Sequence, residues 1–124
     1  MPVPVLKQGD ILIASVVTAL TDKDLLHLKD ELADKIGRMR ARGVVVDVTA
    51  LDVVDSYAAR MLRGIAHTAK LRGAETVVVG IQPEVAFGMV ELGLSLDDVE
   101  TALDLEEALA HLRAVGARRG RRGQ

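Results

Sequence analysis

Apolar and polar positions along the chain change period repeatedly, and each change marks the edge of a secondary-structure element. Residues 3–7 and 11–17 are aliphatic and β-branched runs separated by Gln8-Gly9-Asp10, a tripeptide suited to a tight hairpin turn. Pro2 and Pro4 place the first of these strands at a sheet edge, because proline cannot donate to a ladder. Thr21 then offers an N-cap with Asp24 three residues on, and Leu25, Leu28, Leu32, Ile36 and Met39 recur at helical spacing up to Gly43, the expected stop. Val44-Val45-Val46-Asp47-Val48 is a continuous apolar run of the kind found in a central strand covered on both faces.

A loop over residues 49–55 leads into a second amphipathic helix with Ala58, Leu62, Ile65 and Ala69 on one face, ending near Gly73. Residues 76–80 repeat the buried-strand signature. Pro83 suits the first turn of a third helix, with Val85, Ala86, Met89, Val90 and Leu92 directed inward and Gly93 at its end. A last short strand over residues 99–102 precedes Asp104 and Glu107, a second capping box, and a fourth helix carrying Leu105, Ala108, Leu109 and Leu112. The order β-β-α-β-α-β-α-β-α predicts an α/β fold: a mixed, mostly parallel sheet of about five strands with about four helices and an antiparallel edge strand at the N-terminus. No internal repeat or linker divides it.

Composition narrows the chemistry. The 124 residues match one ordinary domain, and with 49% hydrophobic but only 2% aromatic residues the core has to be built from Val, Leu, Ile and Ala. There is no cysteine, so disulfides, thiolate metal sites and a cysteine nucleophile are excluded. His27, His67 and His111 fall on separate predicted helices with no ligand spacing, which favours ordinary helix histidines over a metal site. The longest apolar stretch, residues 11–20, is about half the length a bilayer requires, and no signal-peptide pattern opens the chain, so a soluble, cytoplasmic protein is expected. The net charge of −2 hides an asymmetry: removing the positive charges of Arg118, Arg119, Arg121 and Arg122 takes it to −6. Without aromatic residues to stack on bases, residues 117–124 read as a frayed basic tail following a domain of residues 1–116, and nucleic acid is not an expected partner.

Candidate chemistry collects after the 44–48 strand. Asp47, Asp52 and Asp55 surround the strand's C-terminal end, where α/β sheets place their ligands, and Ser56 follows Asp55 at the start of a helix. If Asp55 is the N-cap, Ser56 stands at the first helical position with a free hydroxyl; if Ser56 is the cap, Asp55 is only a favourable charge beside the helix dipole. Spacing leaves these two arrangements level. Gly80, Gln82 and Pro83 bring the next strand to a turn beside the same loop, although on sequence alone simple turn chemistry is the better explanation of Gly80 and Pro83.

Enzymatic readings fare worse. Asp47 resembles a magnesium-binding phosphoacceptor aspartate, but Val79-Gly80-Ile81 supplies neither the lysine nor the hydroxyl such a site needs. No GxGxxG or GxxxxGK[ST] loop occurs. A triad of Ser56, His67 and Asp52 fails because His67 lies about three helical turns from Ser56. Asp97-Asp98 reads as a solvated turn. No catalytic residue, cofactor or metal is assigned.

Several segments together resemble the STAS domain family, and within it the small anti-sigma factor antagonists of the RsbS type found in stressosomes. They are Pro4-Val5-Leu6-Lys7, residues 43–47, Asp52-Val53-Val54-Asp55-Ser56, Gly73-Ala74, Val79-Gly80-Ile81-Gln82-Pro83, Val90-Glu91-Leu92-Gly93-Leu94 and Glu100-Thr101-Ala102-Leu103-Asp104-Leu105. The resemblance implies a non-enzymatic module whose phosphoacceptor is Ser56, modified by a switch serine/threonine kinase of the histidine-kinase-like ATPase fold and reset by a PP2C-type phosphatase. It further implies assembly with larger STAS paralogues, sequestration of the kinase by the unmodified protein, and a switch surface of Asp47, Asp52, Asp55, Ser56, Gly80, Gln82 and Pro83. Homo-oligomers are compatible with it. The chain departs from the pattern at Gly88, where several relatives carry threonine, in residues 17–20, which lack an aromatic or glutamine, and in the arginine-rich tail. The alternative within the same fold is a sensor of small molecules or nucleotides using the 52–56 loop as its pocket.

Overall fold

The structure is a computed structural model that describes residues 3–18, 20–96 and 99–122, with side chains through Gly116. Expectations resting on Pro2, Asp97, Asp98, Gly123 or the arginine side chains beyond 116 lie outside the described residues. The elements are β1 (Val5–Gln8), β2 (Ile11–Ser15), α1 (Asp22–Met39), β3 (Gly43–Asp47), α2 (Ser56–Leu71), β4 (Glu75–Val79), α3 (Pro83–Glu91), β5 (Glu100–Ala102) and α4 (Leu105–Arg122).

The strands form one sheet in the order β1-β2-β3-β4-β5, with β1 antiparallel to β2 and every later neighbour parallel. Each parallel step therefore moves in the same direction across the sheet. Crossovers of one hand stepped in one direction leave their helices on one face, so α1, α2 and α3 share a layer and α4 is alone on the other. Strand alternation serves both layers. Leu12, Ala14, Val44, Val46 and Val78 pack with Leu28, Leu32, Leu62, Ile65, Val85 and Met89, whereas Ile11, Ile13, Val45, Val77 and Val79 pack with Ala108, Leu109 and Leu112. Double coverage explains why β3 and β4 read as unbroken apolar runs.

Local chemistry sets the ends of α1. Thr21 caps it through its side-chain oxygen, which accepts from Asp24 N–H at 3.1 Å, and Asp24 Oδ2 accepts in return from Thr21 N–H at 3.1 Å. The helix stops at Met39, followed by Arg40 in the left-handed conformation (φ 51°), so the expected stop at Gly43 is corrected. Gly43 instead opens β3 for a packing reason. A Cβ there would lie 2.9 Å from Leu112 Cδ1 and 3.3 Å from Ile11 Cγ1, in the space that Leu112 of α4 occupies against the sheet.

The third helix buries less than its sequence predicts. Val85 and Met89 are buried, but Ala86, Val90 and Leu92 are exposed, as is Phe87. α3 has nine residues and lies towards the β5 edge, so it covers the core with one i, i+4 pair rather than a broad stripe. Leu105 of α4 and Met39 of α1 are likewise at the margin, each 36% exposed. The backbone of α4 runs through Arg122.

Candidate functional site

The parallel strands β2, β3 and β4 end on the same side of the sheet, and their outgoing loops are tied together there. Backbone N–H groups extend the ladders: Val16 donates to Asp47 O at 2.9 Å, Val48 to Val79 O at 2.9 Å, and Gly80 to Ala102 O at 3.1 Å. The 49–55 loop thus leaves a rigid platform.

Thr49 is the residue that sequence reasoning missed. Its N–H and its hydroxyl both donate to Asp47 Oδ1, at 2.9 and 2.6 Å, closing a local turn of the kind aspartate favours. Its carbonyl accepts from Gln82 Nε2 at 2.5 Å, which links the β3 loop to the start of α3. Gly80 has φ +83°, and a Cβ there would collide with Thr49 Oγ1 and lie 3.2 Å from Thr49 Cα. Three expected site residues, Asp47, Gly80 and Gln82, therefore meet on Thr49. Asp47 is committed to that turn, and Gly80 is required by backbone conformation and by close approach together. The signal available in sequence was the Asp-x-Thr spacing of Asp47 and Thr49.

At the other end of the loop the alternative left open by spacing is resolved. Asp55 is the N-cap of α2, in extended conformation, and its Oδ1 accepts from Ala58 N–H at 2.8 Å. Ser56 occupies the first helical position, is exposed, and its hydroxyl has no hydrogen-bond partner among the described residues. Val54 is buried ahead of the cap and anchors the loop in the core, and Tyr57 Oη donates to Asp22 O at 3.2 Å, fixing the start of α2 against the start of α1. Asp52 and Val53 are exposed at the loop's crest, and Pro83 is exposed at the first turn of α3.

The electrostatics are lopsided. Asp22, Asp24, Asp47, Asp52 and Asp55 gather around the helix starts at this end, while α2 itself holds no acidic residue and carries Arg60, Arg63, His67 and Lys70. Asp24 is held below its ordinary carboxyl value of 3.8, first by the Thr21 N–H and then by the Thr21 hydroxyl. No group of three or more His, Cys, Asp or Glu able to hold a metal ion occurs among the described residues. Cavities of about 260, 380 and 400 Å³ are lined by residues other than Asp52, Asp55 and Ser56. No helix among the described residues is long and apolar enough to cross a membrane.

Comparison with known proteins agrees with this architecture. RsbRD and RsbRA of Bacillus subtilis, both described as RsbT co-antagonist proteins, are 29% and 26% identical over 82 and 100 residues, or 66% and 81% of this chain. The chain spans only 30% and 36% of those two proteins' lengths. Among solved structures, a serine-to-glutamate variant of RsbS from Moorella thermoacetica superposes with TM-score 0.80 at 36% identity, covering 93% of this chain and 97% of that one. A chain from the stressosome, described as a signal integration and transduction hub, gives TM-score 0.77 at 36% identity, covering 91% and 98%. The phosphorylated form of the Bacillus protein SpoIIAA, at 13% identity and TM-score 0.64, shares the fold. The STAS domain pattern matches residues 3–108, and on that match the chain belongs to the STAS domain family.

Proposed function

We propose that this chain is a phosphorylation-switched protein-binding module, an anti-sigma factor antagonist of the stressosome type. In this reading it holds a switch serine/threonine kinase and releases it when Ser56 is phosphorylated. The observation that carries it is the free hydroxyl of Ser56: Asp55 caps α2, so the serine is exposed and structurally unemployed at the first position of the helix. A side chain in that state can be modified without unfolding its helix. The names of the relatives support the same reading, since two are RsbT co-antagonists and one is an RsbS studied with a serine replaced by glutamate.

The kinase expected is of the histidine-kinase-like ATPase fold, with a PP2C-type phosphatase resetting the serine. Larger STAS paralogues, and further copies of the chain itself, are the assembly partners. In the switch surface Asp52, Asp55 and Pro83 are presented to the partner, while Asp47, Gly80 and Gln82 hold the loop in shape through Thr49. A phosphate adds about 1.5 to 2 negative charges beside Asp52 and Asp55, so it alters an interface rather than creating a catalytic centre.

The test is phosphate incorporation. Ser56→Ala should abolish labelling by the cognate kinase, and Ser56→Asp should weaken kinase capture, measured as a pull-down titration. Equal labelling of Ser56→Ala and wild type would remove Ser56 as the acceptor. Stabilisation by nucleotides in a thermal-shift screen, with no labelling, would favour the ligand-sensing alternative.

A further inference from the structure

The proposed phosphate needs a counter-charge, and the geometry points to Arg60: we infer that the phosphate on Ser56 forms an ion pair with Arg60 along the exposed face of α2. The inference rests on the phosphorylation reading above and adds how the modified residue is held.

Ser56 and Arg60 are four residues apart on one continuous helix, which brings their Cβ atoms to about 5–6 Å. Helical side chains lean back towards the N-terminus, so the long side chain of residue i+4 covers residue i rather than the reverse. Arg60 is exposed and makes no hydrogen bond or ion pair among the described residues. The cap and the next arginine on α2 are already engaged. Asp55 Oδ1 holds the Ala58 N–H, and Arg63, one turn further on, donates through Nη1 to Ser95 O at 2.6 Å.

No acid on α2 competes for Arg60, because the helix contains none. From α1, the layer packed against α2, the charged groups near the same end are Asp22, Asp24, Lys23 and His27. Lys29 lies further down, beside Gly64, where its Cδ would be 3.6 Å from an added Cβ and two turns from Ser56. The 47–55 loop adds only Asp47, Asp52 and Asp55. Ser56 thus carries its phosphate into acidic surroundings, and the unengaged guanidinium of Arg60 stands at i, i+4 spacing from it. A guanidinium matches two phosphate oxygens at once, as an ammonium does not.

The consequence is a larger change at the surface than added charge alone. The unmodified protein presents Arg60 to a partner as a free cation, and the phosphorylated protein presents an anion with Arg60 folded onto it.

The experiment uses full-length protein with phosphoserine placed genetically at position 56, so that no kinase is required. Phosphorus NMR then follows the second ionisation of the phosphate, ordinarily near pH 6, in wild type, Arg60→Ala, Arg60→Gln, Arg60→Lys and Lys29→Ala. Arg60→Ala and Arg60→Gln should each raise that midpoint by about 0.15–0.4 pH unit, Arg60→Lys should recover part of it, and Lys29→Ala should leave it in place. Midpoints for the Ala and Gln variants within about 0.1 unit of wild type would overturn the pairing. A kinase that fails to label Ser56 would overturn the switch reading and leave this titration unaffected, so the two failures are separable.

Discussion

The division of labour between Asp55 and Ser56 can be measured without any partner. Asp55 Oδ1 accepts the Ala58 N–H at 2.8 Å, whereas the Ser56 hydroxyl bonds to nothing among the described residues. Asp55→Ala removes the acceptor and leaves that N–H to water, which should cost about 1 kcal/mol, within the range of about 0.5–2 for losing an N-cap. Asp55→Asn keeps an acceptor and loses only the charge beside the dipole, so its cost should be about 0.3–0.5 kcal/mol. Ser56→Ala should change stability by no more than about 0.3 kcal/mol, since alanine is a good helix former and no cap is lost. Equilibrium urea unfolding is the assay. With a slope of about 1–2 kcal/mol/M, Asp55→Ala should move the midpoint down by about 0.5–1 M while Ser56→Ala stays near wild type. If Ser56→Ala cost as much as Asp55→Ala, the serine would be the cap, and the argument that its hydroxyl is free for modification would fail.

Two further expectations follow from the same loops. Gly80→Ala should destabilise by about 2 kcal/mol or more, from an L-residue at φ +83° and from overlap with Thr49 Oγ1. Adding Thr49→Ala should recover part of that cost, and strict additivity in urea unfolding would show that the contact is unimportant. Asp24→Asn should destabilise at neutral pH, because the folded carboxyl is held below its ordinary 3.8 by the Thr21 N–H and hydroxyl. A depressed folded value stabilises above the unfolded pKa and loses that stabilisation as pH falls through the folded one. The difference between Asp24→Asn and wild type should therefore shrink below about pH 3.8 and vanish in stronger acid, and a constant difference would contradict it.

Most of the fold is legible in the pattern of apolar positions, for identifiable reasons. Val44, Val45 and Val46 are each completely buried, so an unbroken β-branched run could mean only a strand covered on both faces. The Thr21 and Asp24 capping box was readable because its chemistry is local. Misreadings occur where burial depends on what lies across from a residue. Val90 and Leu92 have the periodicity of buried positions, yet α3 sits near the sheet's edge with no element beyond it among the described residues, leaving them 75% and 67% exposed. Gly43 looks like a helix stop, and its actual role depends on Leu112, almost seventy residues away in sequence.

The candidate site divides along the same line. Sequence alone determined which residue types stand at the end of β3, that Ser56 follows an aspartate at a helix start, and that no cysteine, glycine-rich phosphate loop or triad competes with it. Those are matters of composition and short spacing, and no neighbour can change them. Tertiary structure decided the rest: that Asp55 and not Ser56 takes the Ala58 N–H, that Asp47, Gly80 and Gln82 converge on Thr49, and that Arg60 is left unengaged beside the serine. Each of these is a contest among donors and acceptors that the fold brings together at this end of the sheet. That contest is between groups up to thirty-three residues apart, and the packing of the sheet sets its outcome.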